Sequence, residues 1–142
     1  FNYSFDERIF SIESADFDND GYDDFIVSVG WGKIYFFKNK QNNNFEIIYE
    51  GSNIGSSHRT KSIDVNNDGL MDLIVATFNG SLYLYKNLGD FQFEELSAKP
   101  NYVSKNYGLA IGDFNGDGNF DIAFGESPIF IAFNINHFFK PW

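Results

Sequence analysis

Apolar and polar positions along the chain fall into a pattern that recurs three times. The runs Phe25-Ile26-Val27, Leu73-Ile74-Val75 and Ile122-Ala123-Phe124 are apolar at consecutive positions. That pattern belongs to a strand buried on both faces, not to one alternating between core and solvent. A turn follows each run: Gly30-Trp31-Gly32, Asn79-Gly80 and Ser127-Pro128. Asn-Gly between apolar runs is a strong hairpin signal. A second strand comes next, in Ile34-Tyr35-Phe36-Phe37-Lys38-Asn39, Leu82-Tyr83-Leu84-Tyr85-Lys86-Asn87 and Phe130-Ile131-Ala132-Phe133-Asn134. A third apolar stretch closes each unit, and a further candidate strand precedes it, at residues 9–15, 60–63 and 107–112. Phe, Tyr, Ile and Val dominate these segments, as β-structure favours. The pattern predicts an all-β chain of three four-stranded antiparallel units, each about 48 residues long.

Ahead of each apolar run lies an acidic loop. Asp16-Phe17-Asp18-Asn19-Asp20-Gly21-Tyr22-Asp23-Asp24 is echoed by Asp64-Val65-Asn66-Asn67-Asp68-Gly69-Leu70-Met71-Asp72. Asp113-Phe114-Asn115-Gly116-Asp117-Gly118-Asn119-Phe120-Asp121 echoes both. The first Asp advances by 48 and then by 49 residues. One such loop is also what an ordinary Asx-rich turn looks like. Three in phase point to shared chemistry.

That chemistry is calcium binding. Ca²⁺ takes six to eight hard oxygen ligands, supplied by carboxylates, amide and backbone carbonyls, and water. Positions 1, 3 and 5 of the loops offer Asp16, Asp18 and Asp20; Asp64, Asn66 and Asp68; Asp113, Asn115 and Asp117. Position 6 is Gly each time, where a sharp turn calls for backbone freedom. Position 7 can offer a backbone carbonyl, so Tyr22, Leu70 and Asn119 are free to differ; position 9 is Asp24, Asp72 or Asp121. The reading expects three Ca²⁺ ions, one per repeat. An EF-hand would need Glu at position 12, but Val27, Val75 and Phe124 stand there, inside apolar runs.

These loops, the flanking Ala15 and Phe25-Ile26-Val27, and endings such as Tyr83-Leu84-Tyr85-Lys86-Asn87 resemble the FG-GAP/VCBS repeats of calcium-binding β-propellers, including integrin α-subunit heads. The resemblance implies three β-propeller-like blades in one repeat domain, 1–142. Within it, residues 1–8 form a strand completing a blade, followed by repeats at 9–50, 51–98 and 99–142. It also implies a secreted, extracellular module with a structural or adhesive role and protein or glycan partners. The Phe-x-x-Gly and Gly-Ala-Pro elements of the family are weak or missing, which sets the chain closer to the VCBS side.

Composition narrows the alternatives. Aromatic residues make up 20% of the chain and 13 glycines accompany them, which excludes a disordered acidic tail. No apolar run reaches the roughly 18 residues of a membrane-spanning helix. The net charge of −10 opposes nucleic acid and anionic membrane surfaces. With no cysteine, disulfides and thiolate chemistry are excluded. His58 and His137 lack metal-ligand spacing to any partner and read as surface residues. No nucleophile–base arrangement stands out, so the expectation is a non-enzyme. Trp31, at a Gly-flanked turn, reads either as packing over a sheet edge or as a contact aromatic. The second case keeps open a carbohydrate-binding lectin; a non-catalytic module of a larger enzyme is a third reading.

Propellers typically close with four to eight blades, so three leave two apolar faces open. The expectation is self-association into a ring or an open filament, or completion by further blades of a longer chain.

Overall fold

The computed structural model describes residues 1–30, 32–51, 57–96, 108–125, 129–135 and 138–140. The regular elements among the described residues are twelve strands. Strands β1 (Ile9–Ala15), β2 (Asp24–Val29), β3 (Lys33–Asn39) and β4 (Phe45–Gly51) form the first sheet, in that order. The second sheet holds β5 (Ser57–Ile63), β6 (Asp72–Thr77), β7 (Leu82–Asn87) and β8 (Phe93–Leu96). The third holds β9 (Gly108–Gly112), β10 (Asp121–Gly125), β11 (Ile129–Ile135) and β12 (Phe138–Lys140). Every pairing is antiparallel between consecutive strands. Among the described residues no helix is long and apolar enough to cross a membrane.

The continuous apolar runs occupy the second strand of each sheet, flanked on both edges. All six residues of β6 are buried, and in β2 only Phe25 is partly exposed. The Asn79-Gly80 turn closes the β6–β7 hairpin: Gly80 has φ +86° and the Thr77 N–H donates to the Ser81 carbonyl at 2.9 Å.

The sheets stack face to face. Strand β5 lies against β1 on one side and β9 on the other. Ala15, Phe17, Ile26, Ile34 and Phe36 of the first unit pack on Leu73 and Val75 of the second. The other face of the second sheet, with Ile63, Ile74, Ala76, Leu82 and Leu84, packs on Ile122 and Phe124 of the third. Polar ties join the first strands: Thr60 Oγ1 donates to Ser11 Oγ at 2.9 Å, and Lys61 Nζ lies 3.2 Å from Glu13.

Residues 1–8 lie outside the strands of the described residues, although the Arg8 carbonyl accepts from the Gly30 amide at 2.9 Å. They run instead over the far face of the first sheet, where Val27, Val29 and Phe37 form a third cluster with Phe5, Phe25, Tyr35 and Phe45. The Phe1 ring lies 5.8 Å from that of Phe37 and 5.4 Å from that of Phe45; Phe5 lies 4.9 Å from Tyr35. The physical reason is ring burial. Three aromatic side chains at alternate positions remove apolar ring surface from water by covering this sheet face. The face expected to be open at this end is therefore covered in part.

Candidate metal centre

Each acidic loop links the first strand of its sheet to the second, at β1–β2, β5–β6 and β9–β10. The carboxylate at position 1 organises the turn. Asp16 accepts from the amides of Asp20 (3.1 Å) and Gly21 (2.8 Å), and Asp64 accepts from Asp68 (3.1 Å) and Gly69 (2.8 Å). Asp113 accepts from Gly116 (2.7 Å), Asp117 (3.1 Å) and Gly118 (2.9 Å). The position-5 carboxylate then accepts from the position-7 amide: Asp20 from Tyr22, Asp68 from Leu70, Asp117 from Asn119, at 3.0, 3.0 and 2.8 Å.

Two left-handed residues curl every loop. Position 6 is Gly21, Gly69 or Gly118, at φ +89°, +86° and +85°. Position 4 is left-handed as well: Asn19 at +62°, Asn67 at +59° and Gly116 at +78°. Position 4 carries a signal in the sequence that went unread among the candidate ligands: Asn and Gly are the residues that tolerate this region best.

Position 9 is set apart by burial. Asp24, Asp72 and Asp121 are 1%, 1% and 0% exposed. Asp24 accepts from the Phe17 amide (3.1 Å) and the Asn39 amide (2.8 Å). Asp72 does the same with Val65 (3.0 Å) and Asn87 (2.8 Å), and Asp121 accepts from Phe114 at 3.0 Å. Each carboxylate thus ties its loop to the sheet. Desolvation pushes Asp24 and Asp72 above the ordinary aspartate range. The amide hydrogen bonds pull the other way, and neighbouring carboxylates (Asp20 and Asp16 for Asp24, Asp68 and Asp64 for Asp72) add to the rise.

In the first loop Asp16, Asp18 and Asp24 bring carboxylate oxygens within 4.8 Å of one another. The Asp18 side chain is 5% exposed, and its buried Oδ1 has no hydrogen-bond partner. A buried anionic oxygen without a donor is costly, and a cation among these three carboxylates would satisfy it. The donor set fits calcium: hard oxygens, several carboxylates and no soft ligand. In the other loops position 3 is Asn. Asn66 Nδ2 donates to Asp68 Oδ2 at 2.8 Å and Asn115 Nδ2 to Asp117 Oδ2 at 3.0 Å, which closes the side-chain ring with one charge fewer. A cleft of about 490 Å³ opens beside the second loop, lined by Asn66, Asp68, Asp72, Lys86 and Glu94 among others.

The structure also adds residues that the ligand assignment left out. Asn87 is fully buried and donates from Nδ2 to the carbonyls of Phe17 (2.8 Å) and Met71 (3.1 Å), so it holds the first loop against the second sheet. Asn39 makes the matching bond to the Asp23 carbonyl at 3.0 Å. The preceding lysines reach the loops: Lys38 Nζ pairs with Asp18 and lies 3.3 Å from Asp20, and Lys86 Nζ lies 3.5 Å from Asp68. Their signal in the sequence was the Lys-Asn pair at the same register of β3 and β7. Trp31, the candidate sugar contact, lies outside the described residues, as do His137 and Trp142.

Three stacked antiparallel sheets, each carrying one acidic loop, define an all-β repeat protein of β-propeller-like kind. Residues 64–124 match the family model described as FG-GAP-like repeat. The stretch from the second loop through β10 is thus a repeat of FG-GAP type. Comparison with curated proteins finds no match.

Proposed function

We propose that the chain is a calcium-binding set of three propeller blades that serves as a structural, protein-interaction module outside the cell. The observation that carries the calcium reading is the orphaned Asp18 Oδ1 beside Asp16 and Asp24, in a loop whose backbone course recurs twice more. Asp16, Asp18, Asp20 and Asp24 with the Tyr22 carbonyl would hold the first ion. Asp64, Asn66, Asp68 and Asp72 with the Leu70 carbonyl would hold the second. Asp113, Asn115, Asp117 and Asp121 with the Asn119 carbonyl would hold the third. Bound calcium supplies charge compensation for crowded carboxylates, and with it stability. Dissociation constants of the extracellular class, about 10⁻⁴–10⁻³ M, suit such a scaffold. The FG-GAP-type match supports a propeller-type interaction module, completed by a second copy or by further blades.

Calorimetric titration of the 142-residue chain with CaCl₂ tests this reading. The expected result is binding of three ions, reduced to two by Asp18→Ala. A melting curve and a heat signal both indifferent to calcium after chelation would overturn it. Light scattering in calcium tests the assembly: a well-folded monomer without any partner overturns self-association.

A further inference from the structure

The lysines beside the loops sit where a metal must compete with them. Register places them: Phe25 pairs with Phe37 and Leu73 with Tyr85, so Lys38 and Lys86 come next to Asp24 and Asp72, at the loop end of each sheet. Lys38 Nζ contacts Asp18 and Asp20, two carboxylates at ligand positions 3 and 5. It also lies 5.5 Å from the ring centre of Phe91, contributed by the second sheet's β7–β8 connection. Carboxylates on one side and an aromatic face on the other define a seat for an ammonium group. Lys86 Nζ reaches Asp68 Oδ2 at position 5 of the second loop. Desolvation pushes Asp68 up, but hydrogen bonds from Asn66 and the Leu70 amide, together with Lys86, outweigh it and hold the carboxyl below its ordinary range. The third repeat differs. Ile122 pairs with Ala132, so the corresponding residue is Phe133, which carries no charge.

We infer that Lys38 and Lys86 are tethered cations that contend with calcium for the carboxylates of the first and second loops, while the matching register position of the third repeat holds the uncharged Phe133. This rests on the calcium reading above. A divalent ion entering the first loop must share Asp18 and Asp20 with an ammonium group already paired to them; like charges within a few ångströms repel. The lysines therefore weaken their sites for calcium and hold the same carboxylates together by themselves. They act as residues that set metal affinity, not as ligands.

The test uses the full chain and Ca²⁺ as the probe, with Lys38→Met, Lys86→Met and Lys38→Arg. Methionine keeps the length and apolar stem of lysine without its charge. Each methionine variant is expected to tighten one calcium site about tenfold, the scale on which a charge-assisted hydrogen bond shifts an equilibrium. Lys38→Arg, which keeps the charge, should retain wild-type affinity. Melting in EDTA supplies the second readout: each methionine variant should melt lower than wild type in EDTA, yet no lower in saturating calcium. A lysine with a merely structural role would lower both curves. Calcium affinities within twofold of wild type, or weaker, in both methionine variants overturn the inference while leaving calcium binding intact. Absence of calcium binding in every protein, wild type included, overturns both.

Discussion

The Asn87 side-chain amide donates to the Phe17 carbonyl at 2.8 Å, across 70 positions of sequence. The same Nδ2 reaches the Met71 carbonyl, and Oδ1 accepts from the Gly89 amide at 2.9 Å. One buried side chain thereby joins the first acidic loop, the second acidic loop and the turn after β7.

Replacing it with an apolar isostere tests that junction. Asn87→Leu leaves the buried Phe17 carbonyl and the part-buried Met71 carbonyl without this donor and the part-buried Gly89 amide without its acceptor. Unpaired buried groups cost about 1–3 kcal/mol each, with partial relaxation, so a loss of about 3 kcal/mol is expected in urea denaturation. A loss below about 0.5 kcal/mol, the scale of an ordinary surface substitution, would show that the junction contributes little.

The buried Asp72 gives a pH dependence with a definite sign. Its pKa is raised from 3.8 chiefly by desolvation, so the native state holds the proton more tightly than the unfolded chain. Its stability contribution is fully present below the unfolded value and is lost as pH rises through the native one. In EDTA, the stability gap between wild type and Asp72→Asn should be widest below about pH 4 and should narrow on the way to neutrality. Urea midpoints across that range measure it; a gap that widens with pH contradicts the raised pKa.

Position 6 of the second loop separates backbone strain from crowding. Gly69 has φ +86°, and a Cβ built there meets no heavy atom within 4 Å. The cost of Gly69→Val is then conformational, about 1–3 kcal/mol for a β-branched residue held in the left-handed region. Calcium affinity should fall with it although every ligand remains. Leu70→Ala, which keeps the backbone carbonyl, should leave calcium affinity nearly unchanged by calorimetry. The reverse ranking would displace the loop register.

The covering of the first sheet predicts both a stability and a solubility effect. Phe5 is half-buried against Tyr35, Phe37 and Tyr3. Phe5→Ala should cost about 1–3 kcal/mol, since truncating a fully buried Phe costs 3–5 and this ring is only half covered. It should also raise self-association, measured by sedimentation, because the substitution uncovers apolar surface. No change in either would mean that residues 1–8 rest on the sheet without contributing to it.

The sequence by itself determined what is local and repeated. Strand runs were legible because each second strand, such as Leu73-Ile74-Val75, is apolar on both faces. The loops were legible because alternate oxygens and a left-handed glycine act within nine residues. Hydrogen bonds such as those from Gly69 to Asp64 span five positions, so their residue types must recur at fixed spacing wherever the turn recurs. The tertiary structure alone decided the rest. That Asp24 and Asp72 are buried ties to the sheet depends on amides at Asn39 and Asn87, 15 positions away. That Phe91 backs Lys38, that Asn87 holds Phe17, and that Phe1, Tyr3 and Phe5 lie over a sheet face instead of extending one are outcomes of packing between separate units. No spacing rule along the chain encodes them, because contacts between stacked sheets depend on which faces meet, and the apolar pattern of a strand buried on both sides looks the same whichever neighbour covers it.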